Sequence, residues 1–333
     1  MEQEIIYHYT SSEGLIGILR NQHIRMTNVK FLNDSKELVH GVDLAKQHLK
    51  EAIEELKETN ENINTIANSL SPLSKGLFSL GALNKHPPQT PAFPSKYRFT
   101  DIAFGQLINW VDTLSKTAPF YTASFCKKGN ILRQWMAYCP EGGYAIGFNF
   151  SKLKNNCLNE TNIDIRAVDY YGKKKLLKKR YEQIKKIALG YSSLLDSLLI
   201  KYPDTKELFD STEYKNGSDK LSEKIKSQAF LIARASLAQK EKHFIDEEEI
   251  RLTLSNIAKM DILNENSSAI DFFPKNNLLV PYIPYTFPKD IIEKIYVGPM
   301  QNQELACNSL KKLKFKEDYT FKIERSKIPI RKI

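Results

Sequence analysis

The sequence contains little cysteine and lacks the short motifs that usually bind zinc or nucleotides. Its 333 residues include only Cys126, Cys139, Cys157 and Cys307, and no CxxC pair. Isolated cysteines in a chain of this length are typical of reduced thiols in a cytosolic protein, and their spacing does not fit a zinc site. The glycine-rich motifs GxGxxG and GxxxxGK[ST] are also missing, so the sequence gives no support for a Rossmann or a P-loop nucleotide-binding fold.

Long hydrophobic runs are missing as well. Mean hydropathy is −0.42, and no apolar stretch approaches the roughly 20 residues that cross a bilayer. Residues 1–6 have no cationic lead, so we expect no secretory signal, no membrane partner and a cytoplasmic protein. The 41% hydrophobic and 26% charged residues fit a globular protein and exclude collagen-like, coiled-coil-only and wholly disordered chains.

The net charge of +10 comes from two lysine-rich segments. Residues 173–186 contain eight basic residues and one acidic residue, and residues 311–333 contain nine and three. Such segments could attract nucleic acid, and a non-catalytic nucleic-acid-binding protein that uses a basic helix at 173–186 is one alternative. A solvated helix face and a charged tail explain the same residues, and the excess of lysine over arginine favours that interpretation.

The order of elements predicts an α+β fold. We predict short strands at 5–9, 24–26, 121–126, 144–150, 163–170, 248–255, 294–297 and 319–324. Helical spacing falls at 36–57, 102–114, 130–138, 173–201 and 219–240. Strands in mixed order with long helical insertions predict a mixed, largely antiparallel sheet.

We expect one catalytic-like domain over residues 1–333 that carries two insertions. The first, residues 59–118, includes a proline-containing stretch at 69–96 and forms a lid or helical insertion. The second, residues 173–240, is helical with breaks at Pro203 and Asn216-Gly217.

The first candidate site is Tyr7-His8-Tyr9-Thr10, where the first strand meets a helix. Thr10 and Glu13 predict a capping box with Thr10 as the N-cap. Because strands alternate faces, His8 points away from Tyr7 and Tyr9 and could reach a ligand. A histidine bonded to a backbone carbonyl is the alternative, and position alone favours it.

Aromatic and hydroxyl side chains form a second candidate site around Ser124, Trp135, Tyr138 and Tyr144. Trp135 and Tyr138 are three residues apart and share one face of a helical turn. Their rings could stack on a nicotinamide or a base, although such pairs more often lie in a core.

The third candidate site is the late segment Glu247-Glu248-Glu249-Ile250-Arg251. If it is a strand, Glu247, Glu249 and Arg251 project from one face. Two carboxylates on one face repel each other unless a cation compensates, and Arg251 could do so as a purely structural partner. The carboxylates could instead act on a sugar, and a hydrolase with Glu247 and Glu249 as acid and base is a further alternative.

Eight short blocks resemble, in order, a family of uncharacterised bacterial proteins known as domain of unknown function 2971 (DUF2971). The resemblance spans residues 7–299. Its blocks are Tyr7–Thr10, Asn33–Glu37, Ser124-Phe125, Trp135–Tyr138, Tyr144–Phe148, Val168–Tyr170, Glu247–Arg251 and Gly298-Pro299.

A looser resemblance connects the first-strand histidine and the late Glu-x-Glu strand to ADP-ribosyltransferases with a His-Tyr-Glu triad. It implies a split sheet and NAD as substrate, without a metal. His8 would hold the nicotinamide-side ribose, Glu249 would bind the 2′-hydroxyl and stabilise the cation, and Glu247 would orient or deprotonate an acceptor. The implied NAD contacts are His8, Tyr9, Thr10, Ser124, Trp135, Tyr138, Tyr144 and Arg251.

The middle aromatic of the triad could be Tyr121, Trp135, Tyr138 or Tyr144, and Tyr9 stands where the family usually has glycine. Together these resemblances imply an enzyme that cleaves NAD. It would transfer ADP-ribose to a nucleic-acid or protein acceptor, or hydrolyse NAD, as a bacterial toxin or an anti-phage defence effector.

Overall fold

A computed structural model describes most of the chain. The described residues are 4–32, 41–48, 50–51, 98–118, 120–158, 163–170, 182–184, 186–187, 189–190, 193–194, 197–198, 200–202, 204–254, 269–275 and 277–329. The proline-containing stretch 69–96, the Asn33–Glu37 block and most of the basic segment 173–186 lie outside them.

The chain divides into two compact units. The first comprises Met1–Glu37, Pro119–Tyr171 and Ala238–Ile333, and the second comprises Leu38–Ala118 and Gly172–Leu237. All the candidate site residues belong to the first unit. The expected single domain with insertions at 59–118 and 173–240 stays a prediction.

The elements of the first unit are mostly short strands. The strands are β1 (Ile5–Thr10), β2 (His23–Asn28), β3 (Tyr121–Cys126), β4 (Tyr144–Asn149), β5 (Ile163–Ala167), β6 (Glu249–Leu254), β7 (Asp271–Lys275), β8 (Leu278–Thr286), β9 (Ile292–Val297) and β10 (Lys322–Arg325). The helices whose ends both lie in the described part of the chain are α1 (Ser12–Asn21), α2 (Arg98–Thr117), α3 (Leu132–Tyr138), α4 (Phe150–Leu158), α5 (Thr205–Asp210), α6 (Thr212–Ser236) and α7 (Gln303–Lys316). Among the described residues, no helix is long and apolar enough to cross a membrane.

The ten described strands form one sheet that forks at β3. Its main order is β10-β9-β4-β1-β3-β2-β8-β7, while β6 pairs with the other edge of β3 and β5 pairs with β6. Two strands share one edge of β3: β1 pairs at Cys126, and β2 pairs at Tyr121 and Thr122. Among the described strand pairs, β9 and β10 run parallel and the others are antiparallel. The predicted α+β class with a mixed, largely antiparallel sheet is confirmed.

Side-chain alternation gives the sheet two different faces. One face is the main apolar core, where Ile6, Phe125, Ile146 and Ile250 pack with residues of α1, α4 and α7. On the other face, Tyr7, Tyr9, Cys126 and Ala145 pack with Trp135 and Cys139, which brings α3 against this side.

Several local predictions are wrong for identifiable reasons. Thr10 is still paired with Tyr144 in the sheet, so Ser11 is the N-cap of α1 and accepts a hydrogen bond from the Gly14 N–H. Asn216-Gly217 does not break the chain, because α6 begins at a Ser211 cap and runs through both residues. The charged segment 311–333 is not simply a tail, because its described part contains the end of α7 and the strand β10.

Gly143 gives a direct test of the packing between β4 and α3. A Cβ atom there would lie 2.6 Å from the Thr10 carbonyl oxygen and 2.7 Å from Cys139 Sγ. We expect Gly143→Ala to lower the free energy of unfolding by about 1–3 kcal/mol through overpacking.

The matched control is Gly17→Ala in α1, where the nearest atom, an Arg25 side-chain nitrogen, lies at an ordinary 3.7 Å. This change should be neutral or stabilising by up to about 1 kcal/mol. Urea unfolding followed by Trp135 fluorescence in a Trp110→Phe background would report on the first unit. Equal stabilities of the two glycine variants would contradict the described contact.

Candidate functional site

The centre of the second sheet face is polar although it is buried. Ser124 of β3 and Arg166 of β5 flank Arg251 of β6, and all three side chains share a face with Glu249. Glu249 and Arg251 are each about 4% exposed. A buried polar sheet face is unfavourable unless its groups are paired, so these side chains must be bonded to one another or to a ligand.

Glu249 lies at the centre of an ion cluster. Arg251 donates from Nε to Glu249 Oε1 at 2.7 Å and from a terminal nitrogen to Oε2 at 3.0 Å. Lys240 Nζ lies 3.2 Å from Glu249 Oε2 and 2.8 Å from Glu247 Oε2, so one ammonium group joins both carboxylates. The hydroxyl of Ser124 donates a further hydrogen bond to Glu249. The two carboxylates and two cations balance in charge.

These partners keep the Glu249 carboxylate ionised. Burial by itself would raise the pKa of Glu249, but the charges of Arg251 and Lys240 and the hydrogen bonds outweigh it and lower the pKa to about 2. Glu249 is therefore an anion at neutral pH and has no proton to donate.

Glu247 joins this cluster although it lies outside the strand that carries Glu249. The strand β6 begins only at Glu249, and Glu247 ends a 3₁₀ turn over Lys242–Glu247. Glu248 lies between them in the left-handed region with φ 42°, which turns the chain before the strand starts. The strand predicted at 248–255 begins one residue later, so Glu247 does not share a strand face with Glu249, although its carboxylate still meets Glu249 at Lys240.

Two phenols and a thiol surround the ion cluster. The phenol oxygen of Tyr170 accepts a hydrogen bond of 2.8 Å from the Glu249 backbone N–H. Burial and the nearby carboxylates raise the pKa of Tyr138, and burial raises the pKa of Tyr170 to about 12. Burial also raises the pKa of the Cys126 thiol, with Glu249 adding to the effect. These groups stay protonated, so Cys126 is not an activated nucleophile.

The structure does not bring His8 into this cluster. Tyr7 is opposite Cys126, and Cys126 is opposite Glu249, so the neighbouring His8 points to the other sheet face. There its ring packs on Phe125, and Nδ1 lies 2.9 Å from the Ser124 carbonyl oxygen. Since a carbonyl can only accept, Nδ1 carries the proton. Burial lowers the pKa of His8, which favours the neutral ring.

Most of the other predicted contact residues are packed in cores. Tyr9 stacks edge-on against Trp135 at 4.7 Å and donates to the Lys128 carbonyl oxygen. Thr10 accepts from Cys139 through its backbone oxygen. Of the four candidates for the middle aromatic, Tyr121, Trp135 and Tyr144 are buried, whereas Tyr138 is 44% exposed and lies beside the two carboxylates.

Sequence reasoning missed Lys240 and Tyr170 as partners of Glu249. A lysine within Gln-Lys-Glu-Lys-His is typical of a solvated surface, so nothing in the sequence indicates that Lys240 is buried. Tyr170 lies in one of the family-like blocks, which gave it no role. Among the described residues, no three His, Cys, Asp or Glu side chains are grouped so that they could hold a metal ion.

The fold and site describe an α+β protein with a buried, charge-balanced cluster on one face of a forked sheet. Residues 134–252 match the family described as a protein of unknown function, DUF2971. The match supports the resemblance to that family and covers Tyr138, Lys240, Glu247, Glu249 and Arg251. No curated protein and no solved structure matches the chain.

The pH dependence of stability tests the ion cluster. The pKa of Glu249 falls from an ordinary 4.5 to about 2 on folding, so the cluster stabilises the fold above about pH 4.5. We expect a contribution on the order of 3 kcal/mol that is lost as the pH falls through 2. Glu249→Gln alone should be more destabilising than Glu249→Gln with Arg251→Gln, because it leaves a buried guanidinium uncompensated.

Urea unfolding of the three proteins between pH 2 and pH 7 measures both effects. The difference in the free energy of unfolding between wild type and Glu249→Gln should become smaller as the pH falls. A difference that is independent of pH would contradict an ionised, paired Glu249.

Proposed function

We propose that this protein cleaves NAD and that Glu249 stabilises the positive charge that develops on the ribose. The enzyme transfers ADP-ribose to a macromolecule or hydrolyses NAD, as a toxin or defence effector. The observation that carries the proposal is a buried carboxylate held ionised at a fixed position by Arg251, Lys240 and Ser124. A preorganised anion of this kind stabilises a cationic transition state without reorganisation.

The reaction needs a charge stabiliser more than a proton donor. In NAD the nicotinamide ring is already cationic, so it leaves neutral when the C1′–N bond breaks and takes the bonding electron pair. The ribose is left with oxocarbenium character, and a water or acceptor oxygen then bonds to C1′ and loses a proton. A carboxylate with a pKa of about 2 fits this role, because it remains charged throughout.

Tyr138 and Glu247 supply the other two functions. In this proposal the nicotinamide stacks on Tyr138, which is 44% exposed and lies beside the two carboxylates. Glu247 is more exposed than Glu249 and shares Lys240 with it, so it orients or deprotonates the acceptor. Arg251 holds Glu249 rather than the substrate.

His8 acts in this proposal as a positioning residue. Its Nδ1–H fixes the Ser124 carbonyl, and the Ser124 hydroxyl in turn bonds Glu249. This role differs from the ribose contact that the resemblance implies, because the His8 side chain lies on the opposite face of the sheet.

The hydrolase alternative with Glu247 and Glu249 as acid and base is less well supported. Such a pair needs one carboxyl group that is protonated at working pH. The low pKa of Glu249 assigns the acid role to Glu247, whose carboxylate is bonded to an ammonium group at 2.8 Å. Nucleic-acid binding by residues 173–186 stays an alternative prediction, since most of that segment lies outside the described residues.

Incubation with NAD labelled in the adenylate tests the proposed activity. We expect wild type to release nicotinamide, and Glu249→Asp to lower the rate about 100-fold or more, because the shortened side chain withdraws the charge from the ribose. Aspartate keeps the charge balance, so the variant should fold, which circular dichroism can check. The control Glu304→Gln changes an exposed glutamate on α7 and should leave the rate unchanged.

Label transfer to protein or nucleic acid, measured in the same reactions, separates transferase from hydrolase activity. The proposal fails if wild type releases no nicotinamide with any acceptor offered, or if folded Glu249→Asp matches wild type.

Substitutions at His8 test the positioning role. Asparagine can place an amide N–H near the position of the His8 Nδ1–H, whereas leucine cannot donate to Ser124. We expect His8→Leu to lower kcat with little change in KM. We expect His8→Asn to keep most of the wild-type kcat. If His8 is purely structural, the activity of both variants should fall only as far as their stability falls. If His8 contacts the ribose, KM should rise in both variants.

A further inference from the structure

Gln134 of α3, four residues before Tyr138, has a buried side-chain amide oxygen without a hydrogen-bond partner among the described residues. The residue is 2% exposed, yet no donor among the described residues reaches its Oε1 atom. A buried polar atom without a partner is costly, at about 1–3 kcal/mol. Such atoms are uncommon in folded proteins and are often satisfied by a ligand or water.

The neighbours of Gln134 on α3 define what its side chain faces. Tyr138 follows four residues later on the same side of the helix and lies beside Glu249 and Glu247. Arg133, one residue earlier, reaches Asp246 at 3.7 Å and the Phe244 ring at 5.9 Å, both in the turn that leads into β6. Trp135, one residue later, packs on Tyr9. Gln134 therefore lies on a helix whose other residues contact both the aromatic cluster and the segment that leads to Glu249.

We propose that Gln134 recognises a primary carboxamide on the leaving group of the substrate. This inference rests on the proposed function and names the part of the ligand that the site selects. The unpartnered Oε1 atom of Gln134 is an acceptor that needs a donor, and the NH2 group of a primary carboxamide supplies one. The carboxamide N–H donates to Gln134 Oε1, while the ring to which it is attached stacks on Tyr138.

Substrate analogues that differ only at this group test the inference. The acetylpyridine analogue of NAD replaces the carboxamide NH2 by a methyl group, and the thionicotinamide analogue keeps the NH2. The variant Gln134→Met keeps the length of the side chain and removes the unpaired oxygen, so it should fold at least as stably as wild type. The control Met136→Gln changes an exposed residue of the same helix.

We expect Gln134→Met to lower kcat/KM for NAD and for the thionicotinamide analogue about 10-fold or more. For the acetylpyridine analogue the variant and wild type should agree within about 2-fold, because there is no N–H to lose. Met136→Gln should change none of the three values.

An equal loss on all three substrates would show a structural role for Gln134 and overturn the inference. An unchanged kcat/KM for NAD would overturn it as well. These outcomes differ from failure of the proposed function, in which wild type cleaves none of the substrates and the inference falls with it.

Discussion

The buried ion cluster of Glu249, Arg251 and Lys240 is the constraint around which the centre of the sheet is built. Each of these charges loses its hydration on burial, and an unpaired charge in such a place costs several kcal/mol. The cluster offsets this through five hydrogen bonds: two from Arg251, two from Lys240 and one from Ser124. Well-packed hydrophobic residues of similar volume are often as stabilising as a buried ion pair, so the cluster is costly to disrupt without being a strong source of stability.

Ser124, on the strand β3 where the sheet forks, forms hydrogen bonds on both faces of the sheet. The described pairing of β1 with β3 is limited to Tyr7 and Cys126, and the Ser124 carbonyl oxygen accepts a hydrogen bond from the His8 side chain. His8 reaches Ser124 from the apolar side of the sheet, while the Ser124 hydroxyl bonds Glu249 on the polar side. One residue thus joins an imidazole and a carboxylate that do not touch each other.

The strongly patterned parts of the fold could be predicted from the sequence, and the parts set by register or by long-range packing could not. The strands β1, β3 and β4 follow from apolar and aromatic residues with strand-like alternation. The hairpin of β7 and β8 was missed because Pro281 and Pro284 interrupt its pattern. At the site, alternation correctly places Glu249 and Arg251 on one face. The separation of His8 from Glu249 depends on how β1, β3 and β6 pair, which no local pattern encodes.

The alternation along β6 also has a consequence for how the chain finds its alignment. Glu249, Arg251 and Thr253 face the polar side, while Ile250 and Leu252 enter the main core. A slip of one residue against β3 would drive two charged side chains into hydrocarbon and expose two aliphatic ones to polar groups. The charged residues of β6 therefore also fix its register during folding, since misaligned pairings of this strand are too unfavourable to persist.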